Sequence, residues 1–514
     1  MANKSRTQYS ILNIVTGIGG YAVNTLVGVV CRMVFVRCLA DDYLGISGLF
    51  SNILSMLSLA ELGVGSAIVY GLYKPLAENN EEKIASYMRY FGKAYRAIGC
   101  VVAVLGLVMI PFLDFVIQDQ PNIKESLYVI YLLYLFNTVS TYFFSYRSSL
   151  LTAAQQNYLV TGTSYLFNIA QSILQMIFLL ITKEYMFYLL IQIVSGLCYN
   201  IVISYIAKRK YPYIAGRKAK PLEQDEKKKL TKNIKALIIW KISGVLVNNT
   251  DNIIITYFSG MVMVGYASNY TLLSGMINTL LLQLFNGITA SVGNYNALES
   301  KEKKLYLFNS INLANFWLFG WAAIGIFLVS GDLVALLYGE NYVLPMNIPF
   351  IIALNFYMVG MQNAVWTFKN TMGLFRQGRY LLFITAAINL VASIALGKVW
   401  GLFGILVATA ISRAFTNTWY DPYAVFKYGL EVPVRKYFSK YFIYALILAG
   451  CAAICYISCE MLNFSLIINV ILKILICTIV PNVLFWVLFH KKPEFEFFIG
   501  IFRRLFKKVL KRNK

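Results

Sequence analysis

The sequence predicts an all-α polytopic membrane protein. It has about 14 transmembrane helices: two six-helix lobes related by a pseudo-two-fold axis along the membrane normal, plus two C-terminal helices, in an N-in, C-in topology. Three observations predict it. Of 514 residues, 59% are hydrophobic and 13% charged, where a soluble domain carries about 25% charged residues. The apolar residues fall into runs long enough to cross a bilayer, which takes about 20 residues of helix. One stretch, 208–235, holds eleven Lys or Arg against three acids, with Pro212 and Pro221 to break helices. Charge of that density stays in water, so the stretch is a cytoplasmic linker that divides the chain.

In chain order the candidate spans are 11–36, 44–73, 91–117, 127–151, 158–181 and 186–207, then 236–258, 261–292, 305–329, 348–372, 381–396 and 402–426, and finally 442–456 and 466–489. They define an N-terminal lobe (1–207), the basic linker (208–235), a C-terminal lobe (236–426), two extra helices (427–489) and a basic tail (490–514). The first run is too long and polar for a signal peptide, and no A-x-A-like cleavage site follows it. With the N-terminus inside, 34 Lys and Arg fall in inner segments and three (Lys124, Lys183, Lys398) in outer loops. That asymmetry is the positive-inside rule at work. It accounts for the net charge of +23 through an anionic inner leaflet, with no nucleic acid required. The tail alternates apolar residues at helical spacing with a basic face, and reads as a helix lying on the inner leaflet.

The same pass excludes several function classes. The eight Cys form no CxxC pair and His490 is the only His, so a zinc site is not expected. Cys451, Cys455 and Cys459 share one helix face as small packing residues. No phosphate-binding G-x-x-x-x-G-K-[ST] loop occurs. Paired carboxylates of the glycosyl-transfer kind are absent, and the longest outer loop, near 330–347, is short. The expectation is a transporter rather than an enzyme.

The halves look repeated. Val23-Asn24 matches Val247-Asn248, and the turn at Tyr43-Leu44-Gly45 matches Val264-Gly265-Tyr266, near 220 residues apart. An even number of helices per half inserts both the same way up.

Polar residues inside the spans carry the functional signal. A Lys or Arg at a helix centre costs about 2.5–3.5 kcal/mol on insertion scales, so it faces a wet cavity or a partner. Arg413 is near the middle of the twelfth span, Arg32 and Arg37 in the outer part of the first, and Arg147, Lys241 and Lys369 in the inner quarter of the fourth, seventh and tenth. The acids well inside spans are Glu61 and Asp251, each either a structural counter-ion or a coupling site for H⁺ or Na⁺. Cations dominate, which points to an anionic substrate group. At about 100° per residue, Lys241, Asn248 and Asn252 share one face, as do Asn24, Gly28 and Arg32, and Asn355, Gln362, Trp366 and Lys369. Such stripes line a path, where amides bond sugar hydroxyls, an aromatic face stacks on a sugar ring and cations hold phosphate. Alternatively they are interhelical hydrogen-bond glue, with Lys241 and Lys369 snorkelling to the inner interface. Lys473, on a late helix with no polar face, is set aside.

The stretches at 43–83, 146–159 (YRSSLLTAAQQNYL) and 251–273 (DNIIITYFSGMVMVGYASNYTLL) resemble Wzx-type polysaccharide flippases, in order along about the first 425 residues. The resemblance implies the fold of the multidrug/oligosaccharidyl-lipid/polysaccharide exporter superfamily. It implies export of an undecaprenyl-pyrophosphate-linked oligosaccharide, for O-antigen or capsule, across a bacterial inner membrane, without a cofactor and in company with polysaccharide polymerase machinery. The family's cationic cavity maps by helix position onto Arg32, Arg147, Lys241, Lys369 and Arg413. Three alternatives stand beside it: a multidrug cation antiporter of the same fold, a peptidoglycan-precursor flippase, and a membrane polysaccharide polymerase or ligase.

Overall fold

The computed structural model describes residues 6–57, 71–72, 75–76, 78–117, 122–215, 221–222, 224, 250–374, 377–378 and 380–496, with only the backbone of 6–15, 18 and several residues between 283 and 298. The described residues are helical with no strand, and nine helices among them are long and apolar enough to cross a membrane, or ten if one bent pair is a single span. The fold is that of a multi-pass all-α membrane protein. Two compact units divide at residue 265.

In the first unit, α1 (Arg6–Cys38) packs along α6 (Asn157–Thr182). α2 (Asp41–Leu57) and α4 (Leu127–Tyr142) meet through the fully buried Phe50, set edge-on to Tyr131 at 5.2 Å. α3 (Glu81–Val108) begins earlier than the run at 91–117 predicts. Its start is built locally: the Asn80 side chain accepts from the Lys83 amide at 2.9 Å, and Glu81 and Glu82 fill the positive first turn, as N-capping requires. The predicted span 127–151 is broken. α4 and α5 (Tyr146–Ala153) meet at 45°, with the intervening residues 143–145 in a turn. α7 (Tyr185–Lys210) closes the set.

The linker departs from its predicted hydration at its start. Residues 208–210 continue α7, and the tight turn Pro212–Ala215 packs against α3. Tyr213 and Ile214 join the cluster around Tyr87 and Phe91. Burial pushes the Tyr213 phenol up to about 12. The chain alternates tyrosines with its cations there, so the apolar rings find a core while the charges stay wet. Of the predicted tail, 490–514, the part beyond 496 lies outside the described residues.

Within the first unit, the start of α2 and the first residues of α8 (Met261–Leu298) touch through their backbones. A methyl on Gly45 would run into the Met261 carbonyl, and one on Gly265 would stand 3.1 Å from the Gly45 nitrogen. Only residues without a Cβ allow so close a crossing. These are the two turn glycines that the repeat matches.

In the second unit, α9 (Lys301–Tyr338) runs past the predicted end at 329. Gly331-Asp332 looks like a loop in sequence, but the apolar residues behind it carry the helix on to Gly339, whose φ of 115° stops it. α10 (Asn347–Thr371) packs on α9, with Gly360 directly beneath the Phe319 ring. α11 (Leu381–Phe415) and α12 (Asn417–Ala424) follow. Gly401 is non-helical (φ 53°, ψ −134°). A methyl on Gly404 would meet the Leu396 carbonyl, and Asn389 Nδ2 donates to Thr409 Oγ1 at 3.1 Å. In one straight helix those pairs stand about 12 and 30 Å apart, so α11 is a hairpin of two arms; the first matches the predicted span 381–396, and the predicted span 402–426 is divided at Thr416. α13 (Arg435–Glu460) and α14 (Leu466–Phe489) complete the unit. Phe316 anchors both, stacked on Tyr444 at 4.4 Å and against Phe485 at 4.9 Å.

Candidate functional site

The stripe on α10 takes a defined set of partners, all within the second unit. Asn355 Nδ2 donates to the Leu406 carbonyl at 2.9 Å. Gln362 Nε2 reaches Thr418 Oγ1 at 3.4 Å. Trp366 Nε1 donates to Asp421 Oδ2 at 3.1 Å, and Lys369 Nζ to Asp421 Oδ1 at 2.6 Å. The Asp421 side chain is 4% exposed and that of Lys369 16%, so this is a buried ion pair. α12 holds Asp421 there because its preceding residue Thr416 leaves helical geometry (φ −124°, ψ −90°) and re-aims the chain. Thr385 secures that break, its Oγ1 within hydrogen-bond distance of both Thr416 Oγ1 (2.8 Å) and Asn417 Oδ1 (3.0 Å). Gln362 Oε1 is buried without a hydrogen-bond partner among the described residues, and Gln362 stands two turns from Lys369 on the same face.

In the first unit Arg147 is the second residue of α5, just past the break. Its Nη1 donates to Ser204 Oγ at 2.9 Å, and its guanidinium lies 5.1 Å from the centre of the Tyr146 ring. Among the described residues no carboxylate pairs with it. A cation at a helix N-terminus opposes the helix dipole, so neither helix nor membrane favours this charge without an anion.

The other predicted residues are placed as follows. Arg32 on α1 lies electrostatically close to Tyr188 of α7. Asp251 and Asn252 sit in the helical stretch 250–259, where the Asn252 carbonyl accepts from Thr256 Oγ1 at 2.8 Å. Arg413 lies in the last turn of α11. Glu61, Lys241 and Asn248 fall outside the described residues. The structure brings together Gln362, Trp366 and Lys369.

Two membrane-embedded acids join Glu61 and Asp251, which the sequence offers as the acids inside spans. Asp421 pairs with Lys369, and Asp332 of α9 pairs with Lys473 of α14 at 2.5 Å. Lys473 therefore has the polar support that its own helix lacks. The sequence signal for Asp421 is an acid on a stretch rich in Asn, Thr and Tyr (NTWYDPY), with no Lys or Arg between Arg413 and Lys427 to answer it.

No protein-family profile and no curated protein matches the chain. Solved structures do. The lipid II flippase MurJ, in an inward closed conformation, superposes with a TM-score of 0.64 at 12% identity, covering 93% of this chain and 99% of that one. A multidrug resistance MATE family transporter of the MOP superfamily, outward-facing, gives 0.57 at 12% identity, with 82% and 96% covered. The Vibrio cholerae MATE transporter VcmN gives 0.54 at 13% identity, with 84% and 99% covered. At these identities the likeness establishes the fold: the chain has the architecture that these transporters share.

Proposed function

We propose that the chain is a flippase that carries an undecaprenyl-pyrophosphate-linked oligosaccharide from the inner to the outer leaflet of a bacterial inner membrane, for surface polysaccharide. The observation that carries the reading is Arg147: an intramembrane guanidinium whose partners among the described residues are neutral, held at a break in a membrane helix. A diphosphate supplies the anion this position lacks, through charge-assisted hydrogen bonds. The polyprenyl tail stays in lipid while the head crosses by alternating access of two lobes. Arg32, Arg413 and Lys241 extend the cationic lining. Asn248, Asn252, Gln362 and Trp366 serve the sugar. Glu61 and Asp251 are the candidates for H⁺ or Na⁺ coupling. A lining of cations disfavours the organic cations that a multidrug antiporter would carry.

The fold likeness to MurJ favours one second reading, a flippase for a peptidoglycan lipid precursor, the same chemical class with another head group. One experiment separates them. Lipids from a strain lacking the protein are extracted and analysed by mass spectrometry. Accumulation of a complete polyprenyl-pyrophosphate repeat unit, with loss of surface polysaccharide, supports the first reading, and accumulation of the peptidoglycan precursor the second. Unchanged lipid-linked sugar with raised drug sensitivity would sink both.

A further inference from the structure

We infer that Asp421 is a resident stand-in for the substrate's phosphate: it occupies Lys369 in the empty protein and yields that ammonium to a diphosphate when one binds. The inference rests on the flippase reading and assigns a specificity role to a residue that reading does not use.

Four observations converge on it. The two oxygens of Asp421 take one donor each, Lys369 Nζ at 2.6 Å and Trp366 Nε1 at 3.1 Å, which is how two oxygens of a phosphate would be held. The pair is buried, and a buried ion pair is a poor device for stability alone, since apolar residues of similar volume often serve as well or better. The carboxylate sits on a segment that is irregular at both ends. α12 starts at the Thr416 break, contains Pro422, and runs into a π-helical stretch at Val425–Leu430. Single π turns inside helices recur at functional sites, and such a segment can shift without unravelling its neighbours. Finally, Gln362 presents a buried, unpartnered acceptor on the same face as Lys369, a valence that a sugar hydroxyl would fill and that costs stability when unfilled.

A methyl on Gly378 would stand 2.8 Å from the Tyr420 ring and 3.5 Å from Lys369 Nζ. The backbone at Gly378 therefore lies against the pair, and its φ of 76° favours glycine. Displacement of Asp421 leaves it bonded to Trp366, so the carboxylate does not have to leave its pocket when the lysine turns to the ligand.

The test uses the purified full chain in detergent, with farnesyl diphosphate as probe and calorimetric titration as readout. The Asp421→Asn variant is expected to bind the probe about tenfold more tightly than the parent, the worth of one charge-assisted hydrogen bond no longer contested. Adding Lys369→Gln to it should abolish the gain. Equal affinity in parent and Asp421→Asn, or a gain that survives Lys369→Gln, overturns the inference. Should Asp421→Asn fail to fold, the Asp421→Leu/Lys369→Met variant removes both charges together. If that variant transports normally, the pair is a structural bridge and the inference fails. If it folds and loses transport at least tenfold, Lys369 is needed for the anion. Tighter farnesyl diphosphate binding in Asp421→Asn, without any lipid-linked oligosaccharide accumulating in the deletion strain, would leave the exchange standing and sink the flippase reading.

Discussion

Two membrane-embedded cations, one in each unit, meet opposite fates. Lys369 is already answered by the Asp421 carboxylate of the neighbouring helix, whose second oxygen takes the indole N–H of Trp366. Arg147 is answered by a serine hydroxyl and the face of its own neighbour Tyr146. From sequence the two are equivalent: each is a cation in the inner quarter of an apolar run. The difference shows that a charge in a membrane helix is a question about partners, which only the tertiary structure answers. An unanswered charge is the better candidate for immediate contact with substrate, and an answered one for contact that requires exchange.

The largest expected effect follows from the unanswered one. Arg147→Gln should lower flipping by about 10- to 100-fold, the range for losing charge-assisted hydrogen bonds, and leave the folded yield intact because the residue's protein partners are neutral. The readout is accumulation of lipid-linked oligosaccharide in a complemented deletion strain, beside monodispersity of the purified variant. A variant that loses folding instead of transport breaks the comparison.

Lys369→Gln should show the reverse order. It strands the Asp421 carboxylate in the interior, at a cost of about 3–5 kcal/mol, so thermal unfolding should move before any transport defect can be assigned. If its unfolding midpoint stays at the parent value, the pair contributes no stability and the contrast with Arg147 disappears.

What could be seen in the sequence was what hydropathy and sign carry. The apolar runs marked the helices, and the hairpin at Gly401 was legible because Gly397 to Gly404 interrupts a run too long for one span. The stripe Gln362, Trp366, Lys369 was legible as a face. Its partners were not, because Asp421 lies on another helix beside Pro422, in a stretch whose Tyr and Trp content reads as the end of a span. Asp332 and Lys473 were hidden for the same reason: each is a lone charge on its own helix, and long-range pairing has no local signature. The break at 143–145 was illegible because Tyr142-Phe143-Phe144 looks like continuous apolar helix.

Asp332 and Lys473 sharpen the comparison from outside the candidate site. Their side chains are about a quarter exposed, and the pair ties α9 to α14, as does the Trp317 Nε1 bond to Asn482 Oδ1 at 2.7 Å. The Asp332→Asn/Lys473→Gln variant should lose about 1 kcal/mol of stability, in the range of polar contacts between membrane helices, with transport unchanged. A transport defect matching that of Arg147→Gln would mean that α14 belongs to the substrate path.

The smallest effect expected is in water, where the start of α13 meets the chain just past α14. Burial pushes the Glu494 carboxyl up, but its own amide N–H and Lys440, 3.0 Å away, outweigh burial and hold it below its ordinary value. Glu431, paired with Lys301, is likewise held low. A carboxylate whose folded value is depressed contributes stability that is present above its unfolded pKa of about 4.3 and lost as pH falls through the folded value. Acidification from pH 7 to 4 should therefore loosen this end slightly, read as faster amide exchange at 489–496, a small effect because water screens both pairs. Unchanged exchange there between pH 7 and 4 would mean that neither bridge holds this end of the helices in place.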